Sequence, residues 1–212
     1  MRHLIIVLAL ILAVLPGRPA KSVVRPPSSE VSSSLPADKY AIDPAHCHIG
    51  FAVRHLVINN IRGRFTDYTG TIFFDEQDIT RSSVEITIKA ASINTDFAAR
   101  DEHLRTVDFF DVAKYPEITF KSSRVEKRGA GLAAIGTFTM HGVAKEIVLP
   151  FKVNGKSNFQ GATHLGVEAV MTIDRRDFGM TWNATLDTGG LVVGNDVNIE
   201  LNIEAVKRGD PS

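Results

Sequence analysis

The feature that most constrains this chain is a side-chain period of two that returns in segment after segment. In Val84-Glu85-Ile86-Thr87-Ile88-Lys89-Ala90 apolar and polar residues alternate without error. The same is true of Val197-Asn198-Ile199-Glu200-Leu201-Asn202-Ile203-Glu204-Ala205. Leu165, Val167, Ala169, Met171 and Ile173 share one face of a third segment. Val143, Ile147, Leu149, Phe151 and Val153 share one face of a fourth, where Lys145 is the exception. Leu132, Ala134, Gly136, Phe138 and Met140 form a fifth face, and Ile118-Thr119-Phe120-Lys121 is a shorter sixth. A helix cannot sort residues this way. Strict alternation marks strands with one buried and one wet face, and such strands belong to antiparallel sheets.

Turn residues punctuate these segments. His141-Gly142 and Asn154-Gly155 read as hairpin turns, and Asp75-Glu76-Gln77-Asp78 closes the run after Phe73-Phe74. One stretch departs from the period. Asp96 to Leu104 reads as one short helix, with Asp96 as N-cap and Phe97, Arg100 and Leu104 at helical spacing, ending before Asp108-Phe109-Phe110-Asp111. Arg175-Arg176-Asp177-Phe178-Gly179 reads as a second short turn. About eight strands with one helix suit a closed barrel or a sandwich. Cys47 is the single cysteine, so no internal disulfide can form and the core must hold the fold.

The N-terminus reads differently. Arg2 and His3 precede an apolar run from Leu4 to Leu15, too short to span a bilayer comfortably but suited to a secretory signal. Residues 1–20 are therefore expected to be a signal peptide, with an uncleaved anchor as the rival; Arg18 spoils the cleavage pattern at Ala20. Residues 21–38 are a Ser/Pro-rich stretch without period, expected to be a disordered linker. The domain is expected over 39–207 and a short tail over 208–212. No other stretch is long enough to span a membrane as a helix. The 24 basic and 24 acidic side chains cancel, which argues against nucleic acid as a partner.

Few residues suggest chemistry. His46 and His48 lie two apart and invite a metal, but no third or fourth ligand is evident, so no metal site is assigned. Alternation places Cys47 with Ile49, Phe51, Val53 and His55 on the more apolar face, where a thiol is a poor nucleophile. His55 ends that face and suits either the mouth of an apolar cavity or a surface turn. Arg175-Arg176-Asp177 offers guanidinium forks for a phosphate, against the plainer reading of an Arg–Asp pair that staples a turn. There is no Gly-rich phosphate loop, no Gly-x-Ser-x-Gly elbow and no His-Glu-x-x-His pair, so no catalytic residue and no cofactor is assigned.

Several blocks together resemble a known pattern. Tyr40-Ala41-Ile42-Asp43-Pro44-Ala45-His46-Cys47-His48-Ile49-Gly50-Phe51, His55-Leu56 and Gly63-Arg64-Phe65 open it. Arg100-Asp101-Glu102-His103-Leu104-Arg105, Asp108-Phe109-Phe110-Asp111, Tyr115-Pro116 and Ile118 to Ser122 follow. Gly136 to Val143, Asp174 to Gly179 and Val193 to Val197 complete it. Over about residues 39–207 the chain resembles the YceI-like proteins. The resemblance implies a mainly all-β fold, an extended eight-stranded, antiparallel, lipocalin-like β-barrel with a helix packed beside it. It implies an apolar tunnel for a polyisoprenoid or other long-chain lipid-like ligand, and a periplasmic or secreted bacterial setting. A homodimer is compatible with it. Tunnel candidates are then Cys47, Ile49, Phe51, Val53, Phe138 and Trp182, with His55 near a mouth. Cys47 stands where the family pattern implies Ser, which exchanges a hydroxyl for an oxidisable, softer group. Three functions remain open on the sequence: a lipid carrier, an enzyme or redox accessory acting on an isoprenoid or quinone-like substrate, and a packed barrel used for interaction.

Overall fold

The computed structural model describes residues 37–187 and 189–208. The signal-peptide expectation, most of the expected linker and most of the tail lie outside the described residues.

Eleven strands form one sheet: β1 (Asp38–Ile42), β2 (His48–His55), β3 (Asn59–Phe65), β4 (Tyr68–Phe74), β5 (Ser83–Lys89), β6 (Ile93–Asn94), β7 (Glu117–Arg128), β8 (Gly131–Met140), β9 (Val143–Phe159), β10 (Ala162–Asp174) and β11 (Val193–Arg208). The pairing order β1-β4-β5-β7-β8-β9-β10-β11 returns to β1, so eight strands close a barrel. All pairings are antiparallel. β2 pairs with the first part of β11, β3 with β2, and β6 with β3. β1 and β2 thus run along β11 in succession, Ile42 opposite Ala205 and His48 opposite Asn202, separated by the 3-10 turn Pro44–His46. Asp43 caps that turn by accepting from Ala45 N, and Pro44 supplies a pre-set φ at its start.

The helix α1 (Ala98–Arg105) is where the sequence expects one, but Asp96 is not its N-cap. Phe97 occupies that position without a side-chain bond, while Asp96 sits at φ 59° with its N–H donating to Asn94 Oδ1. The first turn is instead tied from inside. Buried Asp101 accepts from Thr95 N and Thr95 Oγ1 at 2.9 and 2.5 Å.

Two hairpin readings part ways. His141-Gly142 does turn β8 into β9, with φ of 51° and 74°, the mirror-image turn that matches strand twist. A Cβ on Gly142 would lie 2.3 Å from Tyr115 Cε1, so glycine is required twice over. Asn154-Gly155 does not turn. It lies inside β9 at a register break opposite Gly166/Val167, and the chain reverses at Gln160-Gly161 instead. The dipeptide that favours a tight turn also relieves an irregular strand, and the pairing of β9 with β10 on both sides decides between them. β7 is longer than its alternation suggests for a related reason. A bulge between Ser122 and Arg124 shifts parity, so Ile118 and Phe120 are followed on the same buried face by Val125.

Candidate ligand-binding cavity

The inward faces do not close on one another. They enclose an apolar cavity of about 230 Å³. Its wall draws on every strand of the ring: Ile42 from β1, Ile72 and Phe74 from β4, Val84, Ile86 and Ile88 from β5, and Ile118, Phe120 and Val125 from β7. Ala134, Phe138 and Met140 come from β8, and Ile147, Leu149, Phe151 and Val153 from β9. The alternating faces of β10 (Val167 to Ile173) and β11 (Val197 to Ile203) complete it, with Ile49, Phe51 and Val53 of β2 beside them. Period-two alternation is the cause: in a closed antiparallel barrel every second side chain must point inside. Leu104, Phe109 and Phe110 reach the cavity from helix α1 and the segment after it, at the end where β10 stops and β11 starts. A dry, apolar space of this size is stable without water and receptive to apolar guests.

Of the residues that the sequence points to, Ile49, Phe51, Val53 and Phe138 are wall residues. Trp182 stands one layer behind. Its ring lies 5.1 Å from the ring of Phe109, which touches the cavity, and 5.0 Å from His103. His55 ends β2 opposite Val193, a wall residue, and its own side chain is half-buried. Cys47 precedes β2. Its thiol donates to Glu204 O at 3.2 Å and accepts from Glu204 N at 3.1 Å, bridging the gap in the ladder between β1 and β2. Burial raises the thiol pKa above its ordinary value. The position where the resemblance implies Ser therefore falls at a backbone seam.

His46 and His48 are not brought together. His46 Nδ1 lies 2.9 Å from Asp43 Oδ2, and this bond raises the imidazole pKa and lowers that of the carboxyl. His48 is exposed on β2, its ring against Gly50. Among the described residues the donors that do converge are Asp43, His46 and Glu204, with ligand atoms within 4.8 Å of one another. Each already has a partner, since Glu204 Oε1 lies 2.7 Å from His164 Nδ1.

The Arg175-Arg176-Asp177 cluster is dismantled by the fold. Arg176 pairs with Asp174, whose carboxyl falls to about 2, its largest cause being the bond from the Arg176 side chain. Asp177 pairs with Lys145 at 3.0 Å. This also accounts for Lys145, the charged residue on the apolar face of β9: its ammonium lies over the Phe178 ring at the strand's end and reaches Asp177 outside. Arg175 turns inward, buried, and lines the cavity. Arg175 keeps the parity of the inward face of β10, but it lies one residue beyond the strand, and its burial is fixed by a 3-10 turn (Arg175–Phe178) closed by Gly179 at φ 78°.

A profile of the YceI-like domain matches residues 40–205. The chain belongs to the YceI-like family. It is 37% identical over 178 residues to a UPF0312 protein of Serratia proteamaculans, covering 82% of this chain and 89% of that one. It is 34% identical to Protein YceI of Salmonella newport, covering 84% and 91%. Among solved structures it resembles the Campylobacter jejuni YCEI protein (34% identity, TM-score 0.63, 74% of this chain and 90% of that one). It shares its fold with a polyisoprenoid binding domain from Saccharophagus degradans (16% identity, TM-score 0.57, 78% and 97%). No helix among the described residues is long and apolar enough to cross a membrane.

Proposed function

We propose that this YceI-like protein binds, and carries or stores, a long-chain apolar ligand inside its barrel, a polyisoprenoid or another lipid-like amphiphile, in the periplasm or after secretion. The observation that carries the reading is the cavity: one continuous apolar wall built by all eight strands of the ring, where a packed barrel would have filled its interior with side chains. Each buried CH2 of a guest contributes about 0.8 kcal/mol, so a fifteen-carbon tail supplies roughly 12 kcal/mol before ordering costs. The fold shared with a polyisoprenoid binding domain supports the same ligand class. Ile49, Phe51, Val53 and Phe138 would touch the tail. Cys47, His55 and Trp182 would act from behind the wall or beside it. The protein works by binding, without a catalytic residue or cofactor.

Native mass spectrometry of protein purified from its own host, followed by organic extraction, tests this. The expected result is a long-chain isoprenoid or fatty amphiphile released only on denaturation. A clean apo mass, with no uptake of added prenyl or fatty probes, would overturn the reading. The same spectra report whether two copies pair.

A further inference from the structure

Among the described residues, three charged side chains are buried: Asp75, Asp101 and Arg175. Two are compensated. Asp75 pairs with Arg81 at 2.5 Å and accepts from Gln77 N and Asp78 N. Asp101 accepts both donors of Thr95. Arg175 is 3% exposed and has no carboxylate at all. Its nearest candidate, Asp174, is committed to Arg176, accepting from Nε at 3.0 Å and Nη2 at 2.5 Å.

The Arg175 fork is nevertheless fixed. Nε donates to Gly194 O at 2.9 Å and Nη1 to Met180 O at 2.7 Å. Those carbonyls lie at the end of the barrel where β10 gives way to the 3-10 turn and β11 begins. Nη2 is buried with no hydrogen-bond partner, the one such side-chain nitrogen or oxygen among the described residues. Among the described residues Arg175 is also the one charged residue in the cavity wall, where the other polar side chains are the hydroxyls of Ser82 and Ser83. Ser82 precedes β5 and Ser83 opens it, at the opposite end of the barrel from Arg175.

A guanidinium stays protonated, and an unpaired charge in an apolar interior is among the costliest features a fold can hold. Two carbonyls neutralise none of its charge. What is missing is an anion with oxygen acceptors, approaching from the cavity side. We propose that Arg175 is the headgroup receptor of the cavity, and that its ligand is a single-tailed amphiphile ending in an anionic oxygen group, a carboxylate or a phosphate. The inference rests on the cavity being a ligand site and adds the headgroup's chemistry and its place. The tail then runs along the barrel, away from the end that holds α1.

The test is a set of equilibrium titrations with two matched pairs of probes: palmitate against hexadecanol, and geranylgeranyl monophosphate against geranylgeraniol. The wild-type protein is expected to bind each anion roughly 10- to 100-fold tighter than its alcohol, the range of a charge-assisted hydrogen bond. Arg175→Met is expected to bring each pair within about twofold while alcohol affinity is kept, and Arg175→Lys to retain part of the preference. The larger of the two wild-type ratios identifies carboxylate or phosphate as the source. Equal affinities for anion and alcohol in the wild type, or a preference that survives in Arg175→Met, would overturn the assignment and leave the cavity reading standing. Failure of all four probes to bind would overturn both. Should Arg175→Met not fold by circular dichroism, the wild-type ratios and Arg175→Lys decide: no preference, or an undiminished one in the lysine variant, sinks the proposal.

Discussion

The two halves of the barrel are built by different rules. From β7 to β11 each strand pairs with its sequence neighbour, the strands are 10 to 17 residues long, and pairing errors are absorbed by bulges. From β1 to β6 the longest strand has 8 residues, and chain that continues in one direction is broken by a 3-10 turn or a bend. In the first half the backbone ladder supplies the order. In the second, side chains bridge what the ladder leaves open: Cys47 to the Glu204 backbone, Tyr68 OH donating to Cys47 O, Asp101 to Thr95, and Arg105 donating to Ala91 O and Ile93 O. A continuous ladder tolerates a lost surface side chain, whereas a broken one depends on particular polar atoms.

The comparison can be broken most directly in the long-stranded half. A Cβ on Gly136 would meet Lys121 O at 2.2 Å and Ser122 Cα at 2.5 Å, both backbone atoms that cannot swing away. Gly136→Ala is expected to cost about 3 kcal/mol or more in denaturant unfolding, with the whole barrel melting as one transition. Leu165 is fully buried, and Leu165→Ala should cost about 2–5 kcal/mol by the same measurement. If either variant instead loosened only the strands beside the substituted residue, the idea of a ladder-coupled half would fail.

A smaller effect should sharpen the contrast. Asp101→Ala leaves a buried Thr95 N–H without its acceptor, at about 1–3 kcal/mol. Hydrogen exchange should quicken in β6 and α1 and stay slow in β8 to β10. Protection lost evenly around the barrel would show that this segment is no more separable than the rest. Cys47 offers a chemical probe of the seam. With its pKa raised by burial, it should react with a disulfide reagent at pH 8 more slowly than the same cysteine in urea, and Cys47→Ser should cost little stability.

The smallest effect is electrostatic. The folded His46 pKa is raised, first through its bond to the Asp43 carboxylate, so its contribution is complete below the ordinary histidine value and fades as pH rises through the higher folded one. Asp43 is lowered by the same bond, so its contribution is complete above the ordinary aspartate value and fades as pH falls through the lower folded one. Both groups are exposed at the turn, and salt screens them. An NMR titration should find His46 above its value in Asp43→Asn. Identical titrations in the two proteins would remove this bond from the seam.

Residue identity alone determined a good part of this protein. Alternation in Val84–Ala90, Leu165–Ile173 and Val197–Ala205 placed β5, β10 and β11 and named their inward faces, because a strand's period is local geometry that no neighbour alters. Closure of the ring, and so the existence of a cavity, is a matter of how β11 divides its edge between β1 and β2, which no local period encodes. The same limit explains the errors. Asn154-Gly155 was a turn by propensity and became a strand irregularity by pairing, and the β7 alternation stopped at Lys121 because a bulge reverses parity. Arg175 shows the limit most sharply. Its sequence neighbourhood offered three charges side by side, and only the turn after β10 sent Arg176 and Asp177 to the surface while burying Arg175 with Nη2 unpaired. Desolvation is a property of the surroundings in three dimensions, so the most consequential charge in the molecule could be recognised only once the barrel had closed around it.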